Sequence, residues 1–319
     1  MLNLFDKFIM KKITVFVFIL LAIVLSASCS KGGENTATKG MNNPPKHVVL
    51  IGFDGLSSYC LNNGADMPNF RKMMSEGAVT LENRSVLPSS SAVNWASMFM
   101  GAGPELHGYT EWGSSKPDLP SRVLTENGIF PDIYGILNKA YPEAELGYVY
   151  EWDGMRNLVD TLSIDYLKPA KLSDVDTKQA IGDVVGYIKE KKPMFCSVIF
   201  GEPDGAGHSK GWESPEYFSM VSHLDKALGE IVKAVDEAGM TEETIFILSA
   251  DHGGIDTGHG GKTMKEMQTP IVLCGKGVKK GYKIEESTMV YDIAGTVAYI
   301  FGVEQPQVWL ARPIVSAFE

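Results

Sequence analysis

The sequence predicts an α/β protein: a three-layer α/β/α sandwich around a mostly parallel central sheet. Two observations carry the expectation. Five apolar runs of strand length, 47–53, 146–150, 194–200, 244–250 and 270–274, each end at polar, glycine-containing turns. Between them lie stretches of helical period, clearest at 70–74, 133–140, 180–188 and 217–238. Strands that are apolar throughout, alternating with amphipathic helices, fit a sheet covered on both faces. Such sheets bind ligands at the carboxyl ends of their strands.

In chain order, residues 1–29 come first and read as a secretory signal. They carry Lys11-Lys12, an apolar run over 15–25 and a closing Ser26-Ala27-Ser28-Cys29. That run is shorter than the roughly 20 residues needed to cross a bilayer. The small residues before Cys29 resemble a bacterial lipoprotein cleavage site, with Ser26 where leucine is usual and Leu25 one place earlier. The expectation is export, lipidation at Cys29 and anchoring to the cell envelope, on the periplasmic or the outer surface. Ordinary signal-peptidase cleavage nearby is the alternative. Residues 30–45, rich in Gly, Asn, Thr, Lys and Pro, lack apolar periodicity and are expected to form a flexible tether. Residues 46–319 then make one α/β domain with a substantial core.

Formal charge is −10, and removing residues 1–28, with three lysines and one aspartate, takes it to −12. A nucleic-acid backbone binder is not expected from such a balance. Cys60, Cys196 and Cys274 show no Cys-x-x-Cys spacing, so neither a disulfide framework nor a thiolate metal site is implied. Cys196 and Cys274 lie in apolar runs and read as small buried hydrophobes. A pairing of two of the three stays open.

Three carboxylates follow strand ends: Asp54 after 47–53, Asp204 after 194–200 and Asp251 after 244–250. Each has a glycine close behind, Gly55, Gly205 and Gly253, which lets the backbone turn sharply and approach a ligand. One Asp-Gly after a strand is only a turn, but three in one topological position reinforce each other. Of the six histidines, His208, His252 and His259 join these aspartates in Asp204-x-x-x-His208, Asp251-His252-Gly253-Gly254 and His259-Gly260-Gly261. Aspartate oxygen mixed with imidazole suits zinc or another divalent first-row metal. About six such ligands exceed the roughly three of one open catalytic zinc and suit two metals about 4 Å apart.

Such a site needs a nucleophile. The stretch 87–108 supplies hydroxyls where the polar turn Ser89-Ser90-Ser91 opens an apolar helix, whose N-terminus favours an anionic oxygen and a phosphoryl group. Taken alone, a serine triplet there reads as a helix cap.

These residues together resemble the alkaline phosphatase superfamily and, within it, the nucleotide pyrophosphatase/phosphodiesterase branch. The resemblance runs from Asp54 to the closing stretch 291–306. In that branch a Thr or Ser is followed three residues later by Asn, and a Pro-Glu-x-His-Gly stretch closes the helix. Counting back from His107 of Pro104-Glu105-Leu106-His107-Gly108 selects Ser91, with Asn94 three residues on. The resemblance implies one metal held by Asp204, His208 and His259, and a second by Asp54, Ser91, Asp251 and His252, both zinc by preference. It implies that Ser91 attacks phosphorus to form a phosphoseryl enzyme, which water then hydrolyses. It also implies that Asn94 donates its amide to a phosphoryl oxygen, assisted by a backbone N–H near Ser91. The substrate would be a small phosphodiester or nucleotide-like molecule. The chain departs from the branch in having Ser91-Ala92-Val93-Asn94 where Thr-Phe-Pro-Asn is usual, which bears on the substrate pocket.

A sulfatase would need Cys or Ser in a Cys/Ser-x-Pro-x-Arg pattern, and around Pro88 those positions hold Val86 and Ser90. A phosphomonoesterase, phosphonate hydrolase or phosphoryl transferase is the nearer alternative. Arg84, seven residues before Ser91, is the only close arginine for a doubly charged monoester. A surface lipoprotein that binds without catalysis is the alternative from another class. Of the other histidines, His47 is expected to begin a strand, His223 to sit on a helix and His107 to fix the turn after the nucleophile helix. Trp112 and Trp152 are assigned to core packing, with stacking on a base or sugar as the second option.

Overall fold

The computed structural model describes residues 40–319 apart from Asn63 and the side chain of Asn62. The expected signal segment 1–29, its Cys29 and tether residues 30–39 lie outside the described residues. The last six tether residues are a correction, because the compact unit begins at Gly40 rather than at residue 46. Met41 packs against the core, and Pro44 accepts a hydrogen bond from Lys276 Nζ. Among the described residues no helix is long and apolar enough to cross a membrane.

Eight strands form one sheet: β1 His47–Asp54, β2 Ala78–Arg84, β3 Leu146–Tyr150, β4 Tyr166–Pro169, β5 Phe195–Pro203, β6 Thr244–Ser249, β7 Gln268–Gly275 and β8 Tyr282–Lys283. Their spatial order is β4-β3-β5-β1-β6-β7-β2-β8. From β4 to β6 every pairing is parallel, while β7 runs antiparallel to both β6 and β2. The fold is therefore α/β with a mostly parallel sheet, as expected.

The sheet divides the core in two because successive side chains point to opposite faces. Val48 and Leu50 of β1 join the cluster under helices Ser91–Met100, Ile133–Ala140 and Asp292–Phe301. Val49, Ile51 and Phe53 join the opposite cluster, under helices Pro68–Glu76, Gly182–Lys191 and Pro215–Glu237. Strands β5 and β6 alternate likewise, with Phe195 and Ile245 on the first face and Cys196 and Phe246 on the second.

Three strands escaped the sequence pattern. In β2, Glu82 and Arg84 interrupt the apolar run, and β4 and β8 are short strands at the two edges. The helical stretch over 180–188 is broken at Ile181, with Thr177–Ala180 before it and Gly182–Lys191 after. Cys60, Cys196 and Cys274 are all free, so the open question of a pairing closes without one.

Candidate active site

Strands β1, β5 and β6 deliver Asp54, Asp204 and Asp251 to one edge of the sheet, where their parallel registry ends. Gly55 holds φ +73°, and a Cβ there would lie 2.9 Å from Cα of Asp204, so a side chain would push these strand ends apart. Asp204 opens the short helix Asp204–Lys210, which puts His208 one turn along the same face. His252 follows Asp251 directly, and the turn after it carries His259 back beside Asp204.

Asp54 and Asp251 are each anchored through one oxygen while the other stays free. Trp95 Nε1 donates to Asp54 Oδ2 at 3.1 Å, and Gly55 N donates to Asp251 Oδ1 at 3.1 Å. Asp54 Oδ1, Asp251 Oδ2 and Asp204 Oδ1 are buried without a hydrogen-bond partner among the described residues. The histidines are oriented from behind: Nδ1 of His252, His259 and His208 meets the carbonyls of Gly253, Ser89 and Thr257 at 2.8, 3.0 and 2.9 Å. A carbonyl only accepts, so each Nδ1 carries its proton and, in the neutral ring, Nε2 presents a bare lone pair.

The lone pairs of His252 and His259 face the unpartnered oxygens, and that of His208 faces the second oxygen of Asp204. His252 Nε2 lies 3.2 Å from Asp251 Oδ2 and 3.4 Å from Asp54 Oδ1. His259 Nε2 lies 3.6 Å from Asp204 Oδ1, and His208 Nε2 lies 3.5 Å from Asp204 Oδ2. Acceptor facing acceptor in a buried site calls for a cation between them. Two ligand atoms on one tetrahedral zinc stand about 3.3 Å apart, given bonds of about 2.0–2.1 Å. The residues present therefore fit a metal ion.

Electrostatics agree with that fit. Burial, then the neighbouring Asp251 and Asp204 carboxylates, pushes the Asp54 pKa well above the usual range. Burial raises Asp251 strongly and Asp204 as well. Burial and the neighbouring imidazoles hold His252 far below its ordinary value, and burial lowers His259. The geometry forms two tight groups, Asp54–Asp251–His252 and Asp204–His252–His259. His208, expected in the second group, stands at its edge with a side chain 46% exposed, and His252 takes the inner place between the two groups.

Ser91 is the first residue of helix Ser91–Met100, and its Oγ lies 3.1 Å from His252 Nε2. Asn94 is a correction. It is wholly buried, its Nδ2 donates to the carbonyls of Val86, Pro88 and Ser90, and its Oδ1 accepts from Val86 N. An amide so committed has no N–H left for substrate; Asn94 instead ties the serine turn to its helix. The backbone N–H of Ala92, next to Ser91, is also engaged, with Trp112 O at 3.1 Å.

Trp112 is a further correction, because the residue is 67% exposed rather than packed in the core. Its turn is fixed by Asp118, which accepts from Thr110 N and Ser114 Oγ. Trp152 packs partly against the core and lines a groove of about 410 Å³ with Glu151, Lys171 and Glu202, beside Asp204. His107 is buried between Ser97 and Tyr109 in the turn after the helix, and His47 begins β1 and His223 sits on Pro215–Glu237, as expected.

Sequence reasoning missed the residues behind the site. Glu266 accepts from Gly261 N through its side chain and from Gly253 N through its carbonyl, so it clamps both histidine-bearing turns. Its signal was legible: Thr263-x-x-Glu266 is a capping box, and both of its hydrogen bonds form. Ser85, whose Oγ donates to Asp251 O, left no local signal.

Fold and site together define an alkaline phosphatase-like α/β protein, with a helix-borne serine set among aspartates and histidines at the carboxyl edge of its sheet. Residues 48–269 match the type I phosphodiesterase / nucleotide pyrophosphatase family, and the chain belongs to it. Bis(5'-adenosyl)-triphosphatase ENPP4 of Pongo abelii is 24% identical over 73% of this chain and 52% of its own length. Venom phosphodiesterase 2 of Crotalus adamanteus is 24% identical over 72% of this chain and 29% of its own. The chain thus spans about half of the first relative and less than a third of the second. Among solved structures, murine ectonucleotide pyrophosphatase/phosphodiesterase 5, an inactive form in complex with AMP, superposes with a TM-score of 0.70 at 14% identity, over 86% of this chain and 100% of that one. A 2-O GAG sulfatase reaches 0.68 at 14% identity, over 86% of this chain and 74% of its own. At these identities the superpositions speak to the fold.

Proposed function

We propose that this protein hydrolyses phosphoric diesters, of nucleotide or related small molecules, through a phosphoseryl intermediate on Ser91. The observation that carries the reading is the set of bare imidazole Nε2 atoms facing unpartnered carboxylate oxygens around the Ser91 hydroxyl. Asp54, Asp251 and His252 would hold one divalent ion and Asp204, His259 and His208 another, with zinc favoured by the mixed oxygen and imidazole donors. When bound, such ions supply positive charge to the phosphoryl oxygens and make serine and water more acidic.

The chain's own residues do the positioning. The N-terminus of Ser91–Met100 presents Oγ of Ser91 with the positive end of the helix dipole behind it, which stabilises an anionic nucleophile and draws the phosphoryl group. Oγ forms the new bond to phosphorus as the ester bond to the leaving alcohol breaks, and water later releases the phosphoryl group from Ser91. The exposed indole of Trp112, whose carbonyl is bonded to the residue after the nucleophile, offers a face for the substrate's organic group. Membership of the family supports diester or pyrophosphate hydrolysis over the sulfatase alternative, whose residue pattern fails at Val86 and Ser90. We also propose export and lipid anchoring through Cys29, on the strength of Ser26-Ala27-Ser28-Cys29 alone.

The test pairs metal analysis with a substrate panel. About two zinc ions per chain are expected, with bis-p-nitrophenyl phosphate or the p-nitrophenyl ester of thymidine monophosphate turned over in preference to p-nitrophenyl phosphate and p-nitrophenyl sulfate. A wide preference for the simple monoester would overturn the diesterase reading. A metal-loaded protein inert towards all four would overturn the enzymatic one.

A further inference from the structure

We propose that the Ser90 hydroxyl is a catalytic oxyanion donor, binding a non-bridging oxygen of the phosphoryl group that Ser91 attacks. The inference rests on the phosphoryl-transfer reading and supplies the donor that Asn94 cannot. Asn94 spends its amide on Val86, Pro88 and Ser90, and Ala92 spends its N–H on Trp112, so neither of these two groups is free to donate there.

Ser90 is the N-cap residue of Ser91–Met100, with extended backbone angles of φ −127° and ψ 155°. A serine in that position ordinarily turns its oxygen back to accept from the second or third N–H of the helix. Ser90 makes no such bond. Its residue exposure is 7%, yet its Oγ forms no hydrogen bond with any described residue, whereas Ser89 Oγ beside it donates to Gly261 O at 2.7 Å.

The free hydroxyl lies against Gly260. A Cβ built there would lie 3.3 Å from Ser90 Oγ, and Gly260 has φ +100°, a conformation that side chains rarely adopt. The hydroxyl thus faces the turn bearing His259, whose Nδ1 is bonded to Ser89 O. It belongs to the residue just before the nucleophile, at the positive end of a helix of ten residues, and lies against the glycine that follows His259. An uncommitted O–H in that place is preorganised for negative charge that grows during the attack.

The experiment uses the zinc-loaded full chain, bis-p-nitrophenyl phosphate as substrate and orthovanadate as the probe of the five-coordinate phosphoryl geometry. Ser90→Ala should lower kcat about 10²-fold, with KM changed by less than about threefold. Orthovanadate inhibition should weaken about tenfold, while metal content and Tm stay at wild-type values. Ser90→Thr, which keeps the hydroxyl and is also tolerated at an N-cap, should recover most of the rate. Wild-type kcat and vanadate affinity in Ser90→Ala would overturn the inference and leave the functional reading standing. A Thr variant as slow as Ala would overturn it too, since packing rather than a donated hydrogen bond would then explain the loss. A wild-type protein that turns over no ester would bring down the functional reading and this inference together.

Discussion

Ser91 Oγ stands 3.1 Å from Nε2 of His252, an imidazole with no solvent exposure whose Nδ1 is bonded to Gly253 O. The nucleophile candidate is therefore not paired with a proton-accepting triad. A backbone carbonyl rather than a triad carboxylate orients His252 through Nδ1, and its Nε2 is shared with Asp54 and Asp251, in the manner of a metal ligand. Ser91→Ala should retain zinc at near wild-type stoichiometry while losing more than about 10³-fold in diester turnover. Retained turnover with loss of metal would reverse the assignment of Ser91.

Asn94 should matter to stability rather than to the phosphoryl group alone. Asn94→Ala strands Val86 N and the carbonyls it serves in a buried site, so thermal or denaturant unfolding should show a loss of about 3 kcal/mol. An unchanged Tm with a large drop in kcat would instead restore the substrate-binding role.

Acid should weaken the fold through His107. Burial alone pushes its pKa down to about 3, with Nδ1 accepting from Tyr109 N and Nε2 bonded to Ser97 Oγ. A group depressed on folding contributes stability that is fully present above its unfolded pKa and lost as pH falls towards the folded one. The window here opens near pH 6.5 and runs down to about 3. At pH 5 the loss is about 2 kcal/mol. Tm measured between pH 8 and pH 5 should fall more steeply for wild type than for His107→Gln; parallel curves would refute the assignment.

Trp112 should divide binding from stability. Its exposure implies that Trp112→Ala changes unfolding free energy by less than about 0.5 kcal/mol. KM for a nucleotide diester should nevertheless rise about tenfold, as for the loss of one stacking face. Methyl p-nitrophenyl phosphate, with no base to stack, should be affected far less, and Trp112→Phe should lie between. Equal effects on both substrates would remove the stacking role.

Much of the site is legible in the order of residues along the chain. The apolar runs that form β1, β5 and β6 each close on an aspartate and a glycine, because a chain leaving a covered parallel sheet must turn where water and ligands are reached. The serine turn before an apolar segment marks the nucleophile helix by local chemistry. Even Glu266 has a local signature in its capping box.

What the sequence by itself determined was the layered fold, the edge on which the chemistry gathers and the residue types gathered there: periodicity and turn residues are properties of neighbours in the chain. What only the tertiary structure decided was which polar groups stay free. Asn94 looked like a donor until its amide met three carbonyls, and Ser90 looked like a helix cap until its hydroxyl faced Gly260. Trp112 looked like core until its carbonyl, twenty residues away in sequence, closed on Ala92 N and left its ring in solvent. The physical reason is that a buried donor takes whatever acceptor packing brings within about 3 Å, and residues such as Ser89 and His259, 170 positions apart, meet only when the sheet assembles.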